Sequence, residues 1–229
     1  KRYRAGVTDL DYNIKEYYLE QFKKEDIELS GEWLKIFFDN GIFEHFLEDL
    51  DFMNSHSLCI SDEYFLNQYD NIIFEAAQGL LLDQNNIDYF PHLTPSNTGI
   101  KNPKKIIENI EWNDDINIET CYVSRTYLTR HGAGKFPSEC NKNFINEYIY
   151  DKTNVPNPFQ DRLRYGHLNL RELYNRCSDD IGDFGNTKSI AITHCNEYDK
   201  WDNDLLINLF NDWNIYYSDG ETRNDVDLR

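Results

Sequence analysis

The chain has 229 residues, is 40% hydrophobic and 28% charged, and carries a formal net charge of −18. That length supplies one large domain or two small ones, and 16 Tyr and 14 Phe place the acidity on a folded surface, not on a disordered tail. So negative a chain opposes general binding to nucleic acid and docking on anionic membranes.

In chain order, Lys1 to Gly6 hold no initiator Met and lead into no apolar stretch. The expectation is a chain without signal peptide or membrane span. Residues 9–50 read as helical. Between Ser30 and Asn40, residues Trp33, Leu34, Phe37 and Phe38 share one helical face, with Ser30 as N-cap. Asn40-Gly41 breaks the pattern, and Phe43, Phe46, Leu47 and Leu50 form a second stripe. Both stripes are expected to be core packing, in a helical subregion spanning 9–54. Cys59, Cys121, Cys140, Cys177 and Cys195 are scattered and form no C-x-x-C pair, so free thiols in a reducing cytoplasm are expected.

Four strands are expected: Asn71 to Phe74, Ile118 to Tyr127, Ser189 to Thr193 and Asn214 to Tyr217. Helical stretches at Leu168 to Cys177 and Asp202 to Trp213 lie between them. This alternation predicts an α/β fold with a mostly parallel central sheet flanked by helices. Ligands of such sheets bind beyond the carboxyl ends of the strands. Those ends are expected at Gln78-Gly79, Thr129 to Gly132, His194-Cys195-Asn196 and Asp219-Gly220. Residues 84–116 and 135–166 read as long polar connections, a length that usually serves function.

The segments at these ends have binding chemistry. Gln78 sits between small residues, and its amide both donates and accepts, as a purine edge requires. Phe90 to Gly99 gathers Thr94, Ser96, Asn97 and Thr98, donors suited to phosphate or ribose, though such a composition is also common in turns. Thr129 to Pro137 is glycine-rich and basic, but Phe136 follows Lys135, so the G-x-x-x-x-G-K-[ST] phosphate loop is excluded. Two glycines there still let backbone approach a ligand closely. Arg162 and Arg164 share a face if extended, and two neighbouring guanidiniums call for an anion between them. Surface salt bridges are the competing reading. No metal-ligand spacing and no nucleophile–base arrangement stands out.

Taken in order, these segments resemble adenylosuccinate synthetase. Phe74 to Asp83 is similar to that family's F-E-G-A-Q-G-x-L-L-D, Tyr89 to Thr98 to its Y-P-x-V-T-S-S-N-T, and Thr129 to Glu139 to its T-R-V-G-x-G-P-F-P-[ST]-E. The resemblance runs from Arg4-Ala5-Gly6 to Ser218-Asp219-Gly220. It implies a P-loop NTPase-related α/β fold over 1–229 and a cytoplasmic ligase of purine biosynthesis. That ligase joins L-aspartate to the 6-position of a purine nucleoside monophosphate, using GTP or ATP and Mg2+.

Site roles are implied in the same way. Gln78 would hydrogen-bond the monophosphate nucleotide and Thr94 would hold its phosphate. Backbone around His131 and Gly132 would line the ribose. Arg4 would reach a partner subunit's nucleotide, making a homodimer. Arg162 and Arg164 would grip aspartate. His194, Asn196 and Gly220 would border the base of the triphosphate. Ala76 stands where the family has glycine, and Thr193-His194-Cys195-Asn196 lacks both the Lys and the Asp of the family's T-K-x-D. A neutral Asn suits guanine less well than Asp and tolerates adenine. That departure admits the phage subgroup, which acts on dGMP in place of IMP. The family's G-D-E-G-K-G-K loop, with its catalytic Asp and His and its magnesium contacts, has no counterpart in the sequence. The expectation is therefore a C-terminal part, N-terminally truncated, without catalytic or metal-binding residues and inactive alone. The alternative is a non-catalytic nucleotide-binding module that keeps only the monophosphate and aspartate surfaces.

Overall fold

The computed structural model describes residues 15–28, 30–57, 60–151, 154–158, 161–198 and 200–228. The chain divides into two compact units, Lys1–Ser61 and Asp62–Arg229. Arg4 and Cys59 lie outside the described residues, as does the start of the expected helical region, 9–14.

In the first unit residues 15–24 are helical, followed by α1 (Gly31–Phe37) and α2 (Asn40–His56). Ser30 caps α1, its Oγ accepting from the Trp33 N–H at 3.4 Å. Asp39 caps α2 in the same way through the Gly41 N–H at 2.8 Å, so the Asn40-Gly41 break is a helix start. The expectation that both stripes are core is corrected. Leu47 is buried, but Trp33 is 64% exposed and Phe38 and Phe46 are more than half exposed. Helical spacing gathers side chains on one face, but only an opposing layer buries them.

The second unit holds α3 (Asp62–Leu66), α4 (Lys101–Glu108), α5 (Leu170–Ile181) and α6 (Asn203–Leu209). Its strands are β1 (Glu119–Arg125), β2 (Tyr127–Arg130), β3 (Glu139–Cys140), β4 (Arg164–His167), β5 (Thr187–Thr193), β6 (Asn214–Ser218) and β7 (Val226–Leu228). They form two sheets, ordered β1-β5-β6-β7 and β2-β4-β3. In the first, β1, β5 and β6 are parallel and β7 closes the order antiparallel. The second is antiparallel throughout. The fold class is thus the expected one, mixed α/β with a mostly parallel sheet flanked by helices.

The parallel sheet is organised by β5. Ile190 and Ile192 are fully buried, and Ile190 is in register with Tyr122 of β1 and Ile215 of β6. Leu170, Cys177 and Ile181 from α5, Leu206 from α6, and Phe210 and Trp213 just beyond it complete this core. Asn169 caps α5 by accepting from the Arg171 and Glu172 N–H groups, and Asp202 caps α6 by accepting from the Leu205 N–H. The two crossover helices therefore start at defined points and return the chain to the sheet. A smaller core of Tyr127, Ile145 and Ile149 underlies the antiparallel sheet.

Three expectations change. Residues 71–74 form no strand: among the described residues they have no ladder partner, and Ile73 is 91% exposed. An apolar run forms a strand only when a neighbour takes its hydrogen bonds. Residues 118–127 are not one strand but two, in different sheets. Thr126, buried at the break, donates its N–H to the Thr193 carbonyl and its hydroxyl to the His194 carbonyl, both at 3.1 Å, and the chain leaves the parallel sheet there. The connections 84–116 and 135–166 are also partly regular, holding α4, β3 and the start of β4. As expected, His194 follows the carboxyl end of β5 and Asp219-Gly220 that of β6, whereas Thr129 to Gly132 closes β2.

Candidate functional site

The glycine loop, residues 131–138, joins β2 to β3 and is held by two arginines that are register partners, Arg130 of β2 and Arg164 of β4. Arg164 donates to the carbonyls of Gly132 at 3.1 Å and Gly134 at 2.9 Å. Its Nε and Nη2 form a fork on the Glu139 carboxylate at 2.9 and 2.5 Å. Arg130 donates to the Ala133 carbonyl at 3.1 Å and to the His92 carbonyl at 2.9 Å. Three successive loop carbonyls are thus taken by guanidiniums. Gly134 has φ +105°, and a Cβ there would fall 2.6 Å from Arg130 Nη2 and from His92 Cβ, so only glycine fits. Gly166 is required for a different reason: a Cβ would meet the Phe136 ring at 2.7 Å. That ring lies under the Arg164 guanidinium, 5.4 Å away.

Arg164 is thus engaged in an ion pair within the chain, the reading that competes with an anion held between Arg162 and Arg164. The hydrogen bonds from Arg164 hold the Glu139 carboxyl below the usual carboxylate range, with smaller help from the charges of Arg164 and Arg162. Glu139 in turn raises Arg164. Arg130 is lowered, by burial first and then by the Arg164 charge. Arg162, two residues before Arg164, is exposed.

The expected nucleotide segments come together around this loop. The Thr94 N–H donates to the Leu82 carbonyl at 2.9 Å, and the Thr98 hydroxyl donates to the Gly79 carbonyl at 3.1 Å. Gln78 is exposed with φ +67°, and Thr94 is half-buried with its hydroxyl 3.4 Å from that of Ser96. The His92 carbonyl joins this pair of segments to Arg130, and Lys135 lies 5.8 Å over the Tyr89 ring. Gln78, Thr94, His131, Gly132 and Arg164 therefore belong to one connected set of loops.

Asp83 ties these segments. Its carboxylate accepts from the Thr98 N–H at 2.7 Å and from the Asn85 N–H at 2.9 Å. Burial pushes its pKa up, but the hydrogen bonds from Asn85 and Thr98 outweigh burial, leaving it below its ordinary 3.8. A carboxyl lowered on folding stabilises above its unfolded pKa, and that contribution is lost as pH falls through the folded value. Asp83→Asn should therefore cost about 1 kcal/mol at pH 7, about 2–4 °C in Tm. The difference should close as the pH is taken below 3.8. Thermal unfolding of both proteins across pH 2–7 checks this, and a gap that stays constant would refute it.

The third group follows β5. The Cys195 N–H donates to the Ser218 carbonyl at 3.1 Å, bringing the loop after β5 to the loop after β6. A cavity of 250 Å³ opens there, lined by Cys195, Trp201, Asn203, Tyr217, Asp219 and Asp227. The expected base-pocket residues His194, Asn196 and Gly220 stand beside it, while their neighbours Cys195 and Asp219 line it. His194 has φ +61°, with Nδ1 2.9 Å from the Thr193 hydroxyl. Its pKa is lowered, by burial first and then by Arg125, against the opposing pull of Glu197 and Asp151.

Between His194 and the glycine loop runs a polar network that the sequence reading does not contain. Arg125 pairs with Asp151 at 3.4 Å, Tyr127 hydrogen-bonds Glu197, and Asn154 bridges Asp151 to His131. Burial and the Glu197 carboxylate push the Tyr127 hydroxyl above its ordinary range. Arg125 and Asp151 are 26 residues apart, and no local pattern marks them as partners. Glu139, by contrast, ends the family-like segment Thr129 to Glu139.

Among the described residues no three His, Cys, Asp or Glu side chains stand together as a metal cluster. No described helix is long and apolar enough to cross a membrane.

Comparison with known proteins bears on the same segments. A family model for adenylosuccinate synthetase matches residues 18–203. The chain is 28% identical to the adenylosuccinate synthetase of Clostridium perfringens, across 65% of this chain and 35% of that protein. It is 29% identical to that of Mesoplasma florum across 60% of this chain and 34% of the relative. For the enzyme of Limosilactobacillus fermentum the values are 28%, 64% and 34%. The chain spans about a third of the length of the curated relatives it matches.

Proposed function

The chain belongs to the adenylosuccinate synthetase family, and from that premise we propose that it is the nucleotide-positioning and carboxylate-binding part of a purine ligase. The proposed reaction joins the amine of aspartate to C6 of a purine nucleoside monophosphate, IMP or dGMP, with GTP or ATP as phosphoryl donor. The 6-oxo oxygen takes the γ-phosphoryl group, and the amine then displaces phosphate. Such chemistry depends on positioning and charge neutralisation.

The carrying observation is that the three family-like segments and the Arg162–Arg164 stretch are joined through Thr98–Gly79, Arg130–His92 and Arg164–Gly132/Gly134 into one set of loops. In this reading Gln78 faces the nucleotide, Thr94 its phosphate, and the 131–132 backbone its sugar. The two arginines divide the labour. Arg164, committed to Glu139 and the loop, positions. Arg162, exposed, meets the substrate carboxylate. The cavity after β5 and β6 takes the base of the triphosphate, with Trp201 and Tyr217 as walls. The reading extends to a cytoplasmic homodimer in which Arg4 serves the partner's site, and to magnesium held by residues outside those described.

Incubating the full-length protein with aspartate and IMP, AMP or dGMP, each with GTP or ATP, tests the proposal. Phosphate release dependent on both aspartate and a 6-oxo purine monophosphate is expected. Consumption of dGMP but not IMP would assign the phage-type substrate, and no aspartate-dependent release in any pair would overturn the reading. Arg162→Leu should raise the aspartate KM about tenfold or more with kcat little changed, and an unchanged KM would refute its role.

A further inference from the structure

Asp180, near the end of α5, holds a segment that lies 80 residues earlier in the chain. Its Oδ2 accepts from the Tyr122 hydroxyl at 2.7 Å and from the Ile100 N–H at 3.0 Å. Burial, and then this carboxylate, push the Tyr122 hydroxyl far above its ordinary range, so it remains a donor. Ile100 is the N-cap of α4 and has no capping side chain of its own. The carboxylate reaches the positive end of that helix from α5 instead. Cys177 and Ile181 of α5 are buried in the sheet core, which fixes where Asp180 stands. Gly99 completes the arrangement. It is not left-handed, so space, not backbone conformation, calls for glycine. A Cβ there would fall 2.5 Å from Asp180 Cγ and closer still to both carboxylate oxygens. Thr98, the residue before it, is buried and donates to Asp83 and to the Gly79 carbonyl. The end of the 94–99 segment is thus pinned from two sides, by the Gln78 stretch and by the core.

We propose that Asp180 is a positioning residue for the Thr94–Gly99 segment, holding it where Thr94 meets the monophosphate, and that Gly99 is the clearance this contact needs. The inference rests on the nucleotide reading above and ties its phosphate segment to α5, the helix that follows the arginine-bearing β4. A plain helix cap does not account for the arrangement. Ser or Asp at position 100 would cap α4 locally, with no need for glycine at 99 or for a carboxylate set against Tyr122. Attraction for the ligand does not account for it either. A carboxylate repels a phosphate, so by charge alone the loss of Asp180 would strengthen monophosphate binding. A positioning role predicts the opposite sign, because a segment released from the core no longer presents its hydroxyls at one place.

The test measures the affinity of the full-length protein for IMP, AMP and dGMP, and follows whichever the wild type binds. Asp180→Ala should weaken that binding about tenfold. Asp180→Asn should rescue it, because an amide oxygen in the place of Oδ2 accepts both hydrogen bonds. Gly99→Ala should weaken binding as Asp180→Ala does, since its Cβ displaces the carboxylate. The double variant should then bind no more weakly than Asp180→Ala alone, whereas independent effects would multiply to about a hundredfold. Tyr122→Phe removes one of the two donors and keeps the ring, and it stands in if Asp180→Ala does not fold. It should weaken binding about threefold. A merely stabilising contact would lower Tm in these variants and leave the affinity of the folded protein unchanged. Unchanged or tighter binding in Asp180→Ala, or in its stand-in, would overturn the proposal and leave the ligase reading intact. So would multiplied losses in the double variant, or an asparagine variant as weak as alanine. Failure of every purine monophosphate to bind the wild type would bring down the ligase reading and this inference together.

Discussion

Arg164→Leu should lower kcat/KM of the proposed ligase reaction on the order of a hundredfold, the scale at which a misplaced loop costs a positioned reaction. The substitution removes the Glu139 fork and both hydrogen bonds to the carbonyls of Gly132 and Gly134. It also removes the cation from the Phe136 ring. Lysine should not rescue the loss, because one ammonium cannot span a carboxylate and two carbonyls as a planar fork does. The pattern of kinetics separates this role from that of Arg162. A positioning arginine affects kcat, whereas a carboxylate-binding arginine affects mainly the aspartate KM. Steady-state kinetics of both leucine variants make the comparison. Arg164→Leu within a few fold of wild type, with normal thermal stability, would show that the loop does not depend on the fork.

Phe210→Ala should destabilise the second unit by about 3–5 kcal/mol. Phe210 is fully buried just beyond α6. It meets Tyr174 edge-on at 5.2 Å and Trp213 at 5.1 Å. Truncation leaves a hollow between helices and sheet at the point where both crossovers pack. Against a whole-domain stability of about 5–15 kcal/mol, that loss brings the unit close to unfolding at body temperature. Denaturant unfolding compared with wild type measures it, and a cost under 1 kcal/mol would mean that the hollow collapses or that the packing is looser than described.

The parts of the fold written in local order were legible. Ser-Ile-Ala-Ile-Thr at 189–193 is rich in β-branched residues and ends in a polar loop, and it belongs to the interior strand β5. Ser30 is a cap by residue type. What depends on long-range pairing was not legible. Nothing near Asn71 to Phe74 reveals that no described strand lies beside it. Nothing within 118–127 announces the break at Thr126, because that break is made by carbonyls 67 and 68 residues later. In the site, the glycine loop was readable because close backbone approach needs glycine at particular positions. The partner that Arg164 takes, Glu139, was not readable, because it comes from another strand. The Arg125–Asp151–Asn154–His131 chain was invisible, since each member is an ordinary surface-type residue until the fold assembles them.

Two site positions have a bearing on attempts to engineer this protein. Gln78 and His194 both hold left-handed backbone, at φ +67° and +61°, where a residue with a Cβ costs about 1–2 kcal/mol. Glycine would relieve that cost at either position. A library selected only for heat resistance would drift toward glycine at both and shed the side chains that face the proposed ligands. Thermostabilising campaigns should therefore hold these two codons fixed and look for their gains in the α5–α6 core.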